Sequence, residues 1–252
     1  MRHLFSPEGT AALAAVMTTR PLLAFDFDGT LAPIVARPAD ARIPQAVARC
    51  LDRLSGLLPL AIVTGRSVDD VRARLAFQPR FIIGNHGAED PAEPDAGSPV
   101  FDEVRVRLRQ QAADLLAAGV TVEDKRYSIA LHYRLARDRT RAFEAIARLV
   151  DRLDPGVRVL AGKMVVNLVS SRAPDKAEAV ASLVERCGAG GAVFVGDDVN
   201  DEPVFARREP TWLTIRVGRD VAGSQARFYL DGQGEVASML DRMLVLLGQP
   251  RP

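Results

Sequence analysis

Apolar residues fall along this chain in two kinds of pattern. Leu22-Leu23-Ala24-Phe25, Leu60-Ala61-Ile62-Val63 and Ala192-Val193-Phe194-Val195 are short unbroken runs, the mark of strands buried on both faces. Between such runs, apolar residues recur every three or four positions. Val47, Cys50, Leu51 and Leu54 form one stripe, with Pro44 in the first turn of the helix. Ser67 can cap a second helix, buried through Val68, Val71 and Leu75. Residues 81 to 83 read as a further strand, and Lys176 opens another amphipathic stretch. Near the end, 212 to 217 reads as a core strand and Val236, Met239, Leu240, Met243, Leu244 and Leu247 as a helix stripe. Strands alternating with helices predict a doubly wound parallel α/β sheet.

The middle of the chain breaks this order. Between Pro91 and Pro99 the composition turns to proline, glycine and acids, which marks a linker. Residues 102 to 117 then read as a helix, 120 to 125 and 127 to 134 as strands, 138 to 153 as a helix, and 157 to 161 and 163 to 169 as strands. Such an order predicts a small antiparallel sheet covered by helices on one face. The expected division is a core over 1–99, an inserted α+β cap over 100–170, and the rest of the core over 171–252. In the cap strands, Tyr127, Ile129, Leu131 and Tyr133 share one face, as do Met164, Val166 and Leu168. The opposite face would display Glu123, Lys125, His132, Arg134, Lys163 and Asn167. Carboxylate, ammonium, guanidinium, imidazole and amide together suit a hydroxyl-rich ligand better than an apolar one.

Composition narrows the choice of partner. With 33 basic and 32 acidic residues among 252, the net charge is +1, so no global field favours nucleic acid or an anionic membrane. Cys50 and Cys187 fall on apolar helix positions and read as core thiols rather than a disulfide framework. The apolar patch from Ala11 to Met17 is too short to span a bilayer and lacks a signal-peptide cleavage pattern. A cytoplasmic protein is the simplest reading, with a monomer as the simplest arrangement. His3 reads as a disordered terminus, and His86 as a supporting histidine rather than a metal ligand.

The chemistry gathers where the apolar runs stop. The first run delivers the chain to Asp26-Phe27-Asp28-Gly29-Thr30, the second to Thr64-Gly65-Arg66-Ser67, and the third to Gly196-Asp197-Asp198-Val199-Asn200-Asp201. Ligands of open α/β sheets sit outside the carboxyl ends of the strands. Paired carboxylates there repel one another, and a hard cation such as Mg²⁺ relieves the repulsion. Taken alone, Asp26 and Asp28 could also be acidic caps of a helix; the later segments argue otherwise. An aspartate, a hydroxyl, a lysine at Lys176 and an acidic cluster, in this order, resemble the haloacid dehalogenase superfamily of phosphotransferases. The resemblance implies a Rossmann-like core and a role for each residue. Asp26 would be the nucleophile, and Asp28 the acid that protonates the leaving oxygen and then the base for water. Thr64 and Lys176 would hold the phosphoryl group. Asp26, Asp197 and a backbone carbonyl near Asp28 would bind Mg²⁺, with Asp198 and Asp201 ordering metal-bound water or orienting Lys176.

Three further segments sharpen the resemblance. Gly84-Asn85-His86-Gly87-Ala88-Glu89, Val122-Glu123-Asp124-Lys125 and Ala130-Leu131-His132-Tyr133-Arg134 resemble the trehalose-6-phosphate phosphatase family. That resemblance implies hydrolysis of trehalose 6-phosphate to trehalose and phosphate, a step of trehalose biosynthesis, with Glu123, Lys125, Arg134 and Lys163 on the sugars and Arg66 on the core side of the same cleft. One position departs from it. Four residues after the cap lysine the family places a glutamate, and here stands Asn167. An amide still donates and accepts, yet the change keeps a second reading open, a phosphatase for another phosphorylated disaccharide or glucoside. A silent sugar-phosphate-binding regulatory domain and a phosphomutase stand behind these two; intact catalytic positions argue against the first.

Overall fold

The computed structural model describes residues 1–93, 99–151, 153–219 and 223–249. In chain order the elements are β1 Arg2–His3, α1 Pro7–Thr18, β2 Leu22–Phe25, α2 Gln45–Ser55, β3 Leu60–Val63, α3 Val68–Arg72 and β4 Phe81–Ile83. Then come α4 Val100–Gln110, α5 Ala112–Ala117, β5 Thr121–Asp124, β6 Ser128–His132, α6 Arg139–Val150, β7 Val157–Gly162 and β8 Val165–Ser170. The chain closes with α7 Lys176–Cys187, β9 Ala192–Gly196, α8 Glu202–Phe205, β10 Trp212–Val217, β11 Phe228–Leu230 and α9 Val236–Leu246. Two units result, one of residues 1–87 with 175–252 and one of 88–174.

In the larger unit a seven-stranded sheet runs β1-β11-β10-β9-β2-β3-β4, with every neighbouring pair parallel. Its strands β2, β3 and β9 carry no charged or polar side chain because both faces are covered. Leu23, Phe25, Ile62, Val193 and Val195 pack in one layer with α1, α2 and α9 residues such as Leu13, Leu51 and Met239. Leu22, Ala24, Val63 and Phe194 pack in the other with Val180 and Leu183 of α7 and Phe205 of α8. The single-residue alternation between layers is the strand period made visible. Between β2 and β9 the winding reverses, the place where open sheets present ligands. There Phe25 is in register with Val195 on one side and with Ile62 on the other.

The smaller unit holds an antiparallel sheet in the order β5-β6-β8-β7. One face, with Ile129, Leu131, Val166 and Leu168, packs on Val104 and Leu108 of α4, Leu115 of α5 and Ile146 and Leu149 of α6. The unit begins at 88 and ends at 174, wider than the 100–170 read from composition. A shift to proline and glycine marks irregular backbone, whereas the boundary lies where packing partners change. Part of the expected linker, 94–98, lies outside the described residues.

Several elements depart from the sequence reading. The helix expected over 102–117 is two, because Gln111 (φ −103°, ψ 9°) leaves helical geometry after α4. Pro44 precedes α2 as its N-cap instead of entering its first turn. Ser67 does cap α3, accepting the Asp70 N–H at 3.3 Å, but α3 ends at Arg72 and Leu75 lies beyond it. Lys163 and Met164 are the two residues of the β7–β8 turn, since Gly162 pairs with Val165. Met164 has φ +65° and is 38% exposed, so neither residue belongs to a strand face. His3 is no loose end: it sits in β1 beside β11, with Nε2 3.0 Å from Glu235 Oε2 and Nδ1 accepting the Phe5 N–H at 3.2 Å. Cys50 is buried and its thiol donates to Asp241 at 3.1 Å; burial, reinforced by that carboxylate, pushes the thiol up to about 12. Among the described residues, no helix is long and apolar enough to cross a membrane.

Candidate active site

The site of the larger unit grows from three strand ends. Asp26 follows β2 directly, and its N–H donates to the Val195 carbonyl at 2.9 Å, so the ladder to β9 extends into the site. Its carboxylate is buried and accepts from Lys176 Nζ at 2.7 Å. Lys176 is the first residue of α7, whose start is fixed by a capping box between Asp175 and Glu178. The same ammonium donates to Asp201 Oδ1 at 2.7 Å. Burial alone would push Lys176 down, but the Asp201 and Asp26 carboxylates outweigh it and keep the ammonium charged. Burial pushes Asp26 well up, opposed by Lys176 and reinforced by Asp201 and Asp197.

Asp201 is fully buried and its oxygens are committed. Beyond Lys176 on Oδ1, its Oδ2 accepts the N–H groups of Asp197 and Asp198, each at 2.9 Å. The acid thereby folds the loop after β9 and aims Asp197 inward. Two glycines make room for this. A Cβ at Gly29, where φ is +85°, would stand 2.1 Å from Asp197 Oδ2, and one at Gly196 would stand 2.4 Å from Asp201 Oδ2. Oxygens of Asp26, Asp197 and Asp201 all lie within 4.8 Å of one another. Three buried carboxylates facing one ammonium leave a surplus of negative charge, and an all-oxygen donor set of this kind fits a hard divalent cation. Asp26 and Asp197 are the acids left to hold it, since Asp201 already carries three donors.

Thr64 is buried after β3, its N–H donating to the Ile83 carbonyl at 2.9 Å and its Oγ1 accepting the Arg66 N–H at 3.2 Å. Asp28 stands apart from the buried acids. Both of its carboxylate oxygens accept from Arg66, at 2.7 Å each. Of the two acids expected around the lysine, Asp201 is the one that orients it. Asp198 instead turns its Oδ1 to the Val199 N–H, accepting at 2.7 Å.

Two supports carry weaker marks in the sequence. Arg216 of β10 is buried, donating to the Asp197 carbonyl at 2.6 Å and to Glu202 at 2.8 Å. A cation inside the apolar run Trp212-Leu213-Thr214-Ile215-Arg216-Val217 is the one signal of it. Asn85, His86 and Gly87 take φ of +50°, +60° and +113° in succession. Their turn is bonded to the loop after β3, His86 N–H to the Thr64 carbonyl at 2.9 Å and Asn85 N–H to the Arg66 carbonyl at 2.8 Å. The imidazole lies so close to Gly65 that a Cβ there would be 2.4 Å from His86 Cε1. This is a supporting role for His86.

In the smaller unit two of the expected sugar-reading residues, Glu123 and Asn167, lie on the sheet face away from the helices, while Lys125, Arg134 and Lys163 lie beyond the strand ends. Glu123, Ala130 and Asn167 stand side by side on β5, β6 and β8. Glu123 lies 2.9 Å from His132 Nε2 and 3.6 Å from Lys125 Nζ. The His132 hydrogen bond, against the effect of burial and helped by Lys125, holds Glu123 below its ordinary value. Arg134, past the end of β6, donates to the Lys163 carbonyl at 3.0 Å. Asn167 is only 3% exposed, so it is not openly displayed as alternation suggested.

Residues 24–232 match the family model described as trehalose-phosphatase. The trehalose-phosphate phosphatase of Mycobacterium marinum is 32% identical over 266 aligned residues, covering 96% of this chain and 67% of that protein. That of Mycobacterium tuberculosis is 31% identical, covering 94% and 65%. The chain thus spans about two thirds of the length of these curated relatives. Among solved structures, the C-terminal domain of Candida albicans trehalose-6-phosphate phosphatase aligns with a TM-score of 0.77 at 22% identity, over 96% of this chain and 97% of that one. A trehalose-6-phosphate phosphatase related protein aligns with a TM-score of 0.68 at 24% identity, over 90% and 100%.

Proposed function

This chain belongs to the trehalose-phosphatase family, and from that premise we propose that it is a Mg²⁺-dependent phosphatase that hydrolyses trehalose 6-phosphate through an aspartyl-phosphate on Asp26. The observation that carries the reading is the ammonium of Lys176 bridging Asp26 and Asp201 in a buried acid cluster. Phosphoryl transfer needs charge stabilisation and positioning above all, and this arrangement supplies both. An oxygen of Asp26 forms the new P–O bond while the bond to the sugar oxygen breaks. Asp28 gives its proton to that leaving oxygen. In the second half Asp28 takes a proton from water, whose oxygen bonds phosphorus and frees Asp26. Lys176 and the Thr64 hydroxyl hold the phosphoryl oxygens during both halves. Mg²⁺, held by the carboxylates of Asp26 and Asp197 with main-chain support near Asp28, would neutralise the surplus charge of nucleophile and phosphate. Glu123, Lys125, Arg134 and Lys163 would read the sugar hydroxyls.

Asn167 favours a second reading, in which the same chemistry serves another phosphorylated disaccharide. Phosphate release from trehalose 6-phosphate, sucrose 6-phosphate and glucose 6-phosphate separates the two. A clear preference for trehalose 6-phosphate is expected, and preference for another ester would overturn the substrate while leaving the phosphatase chemistry in place.

A further inference from the structure

The resemblance places Arg66 on the sugar, but its surroundings leave it little capacity for that. The side chain is buried, and each of its three nitrogens is already engaged. Nε donates to Asp28 Oδ2 and Nη2 to Asp28 Oδ1, both at 2.7 Å; Nη2 also donates to the Pro38 carbonyl at 2.8 Å, and Nη1 to Asp70 Oδ2 at 2.7 Å. Below it, the Phe27 ring centroid lies 5.2 Å from the guanidinium carbon. Asp70 is itself held by Arg74. Arg66 is therefore a fixed post.

Asp28 is the opposite. Its side chain is 41% exposed, and it stands just before Gly29 at the strand-end turn. Left alone, a short half-exposed side chain samples several rotamers. A guanidinium fork that meets both carboxylate oxygens fixes the plane of the carboxylate as well as its position, which an ammonium cannot do. From this geometry we propose that Arg66 is a positioning residue for Asp28, aiming the acid–base carboxylate instead of binding sugar. The inference rests on the phosphatase reading above and deepens it.

The test uses phenyl phosphate and 4-nitrophenyl phosphate in single-turnover experiments that follow release of the phenol. Neither ester carries a sugar, so a sugar contact contributes nothing to the comparison. Phenolate needs the proton far more than 4-nitrophenolate does. With the Mg²⁺-supplemented full chain, Arg66→Lys should slow phenyl phosphate at least about tenfold more than 4-nitrophenyl phosphate. Adding Arg66→Lys to Asp28→Asn should change that ratio no further, because the acid is already gone. Arg66→Gln is the companion, and Arg66→Lys keeps a cation in the core should the amide fail to fold. Equal slowing of both esters by Arg66→Lys, or a further change of the ratio in the Asp28→Asn background, would overturn the assignment. A wild-type protein that hydrolyses neither ester nor any sugar phosphate would instead sink the phosphatase reading on which it rests.

Discussion

Asp26, Lys176 and Asp201 in the larger unit and Glu123, Lys125 and His132 in the smaller unit are both clusters of opposite charge, built in opposite ways. In the first, the lysine is 3% exposed and one acid 0%, with every oxygen of Asp201 spoken for. In the second, the Glu123 side chain is half exposed and its contacts run from 2.9 to 3.6 Å. Buried charges hold one geometry because any departure leaves an uncompensated ion, a loss of roughly 3–5 kcal/mol. Half-exposed charges are loosely held and cheap to rearrange, each pair contributing about 0.2–1 kcal/mol. On the function proposed above, chemistry at phosphorus would use the first construction and recognition of hydroxyls the second.

Asp26→Asn should break the contrast most severely. The amide is a poor nucleophile and a weaker ligand, so phosphate release should fall at least about a thousandfold while the circular dichroism spectrum stays native. Chelation of divalent ions should likewise silence the wild type, and Mg²⁺ should restore it. A readout independent of activity sharpens this: Mg²⁺ should raise the unfolding temperature of the wild type and fail to do so in Asp197→Asn. Lys176→Ala should lower stability by roughly 3–5 kcal/mol in denaturant titrations, where Glu123→Gln should lower it by less than about 1 kcal/mol. Equal losses at Lys176 and Glu123 would erase the distinction between the units.

Glu123→Ala and Arg134→Ala should each cost about ten- to a hundredfold in kcat/KM for trehalose 6-phosphate and spare 4-nitrophenyl phosphate, which has no hydroxyls to lose. The smallest effect concerns pH. Glu123 is held below its ordinary value in the folded protein, so its contribution to stability is complete above the unfolded carboxylate range and fades as pH falls through the folded value. The difference in unfolding temperature between wild type and Glu123→Gln, about a degree near neutrality, should therefore shrink in acid.

The contrast also divides what is legible in the sequence. The runs of β2, β3 and β9 can be read directly because burial on both faces leaves them unbroken. Polar residues at their ends then fall on the ligand side of the sheet without further assumption, which is what singles out Asp26, Thr64 and Asp197. What cannot be read depends on partners distant in the chain. Arg66 looks the same whether it faces a sugar or Asp28, 38 positions before it. The two-residue β1 has no pattern of its own and exists only through pairing with β11. Gly162 marks the break between β7 and β8 in the sequence but still pairs with Val165, and the left-handed residue is Met164, so Lys163 and Met164 read as strand. Alternation assigns Asn167 to a side of the sheet and says nothing of whether that position is open.

Gly29 and Gly196 carry a consequence for mutational surveys of this protein. A scan that replaces side chains with alanine would find the acids and the lysine, each by what it takes away. At these two positions alanine is an addition, one methyl group placed 2.1 Å from an oxygen of Asp197 or 2.4 Å from one of Asp201. The smallest possible substitution thus displaces a carboxylate that Asp→Asn would leave in place. Tolerance to mutation around this centre should follow free volume more closely than charge, with the strictest requirement at residues that have no side chain to remove.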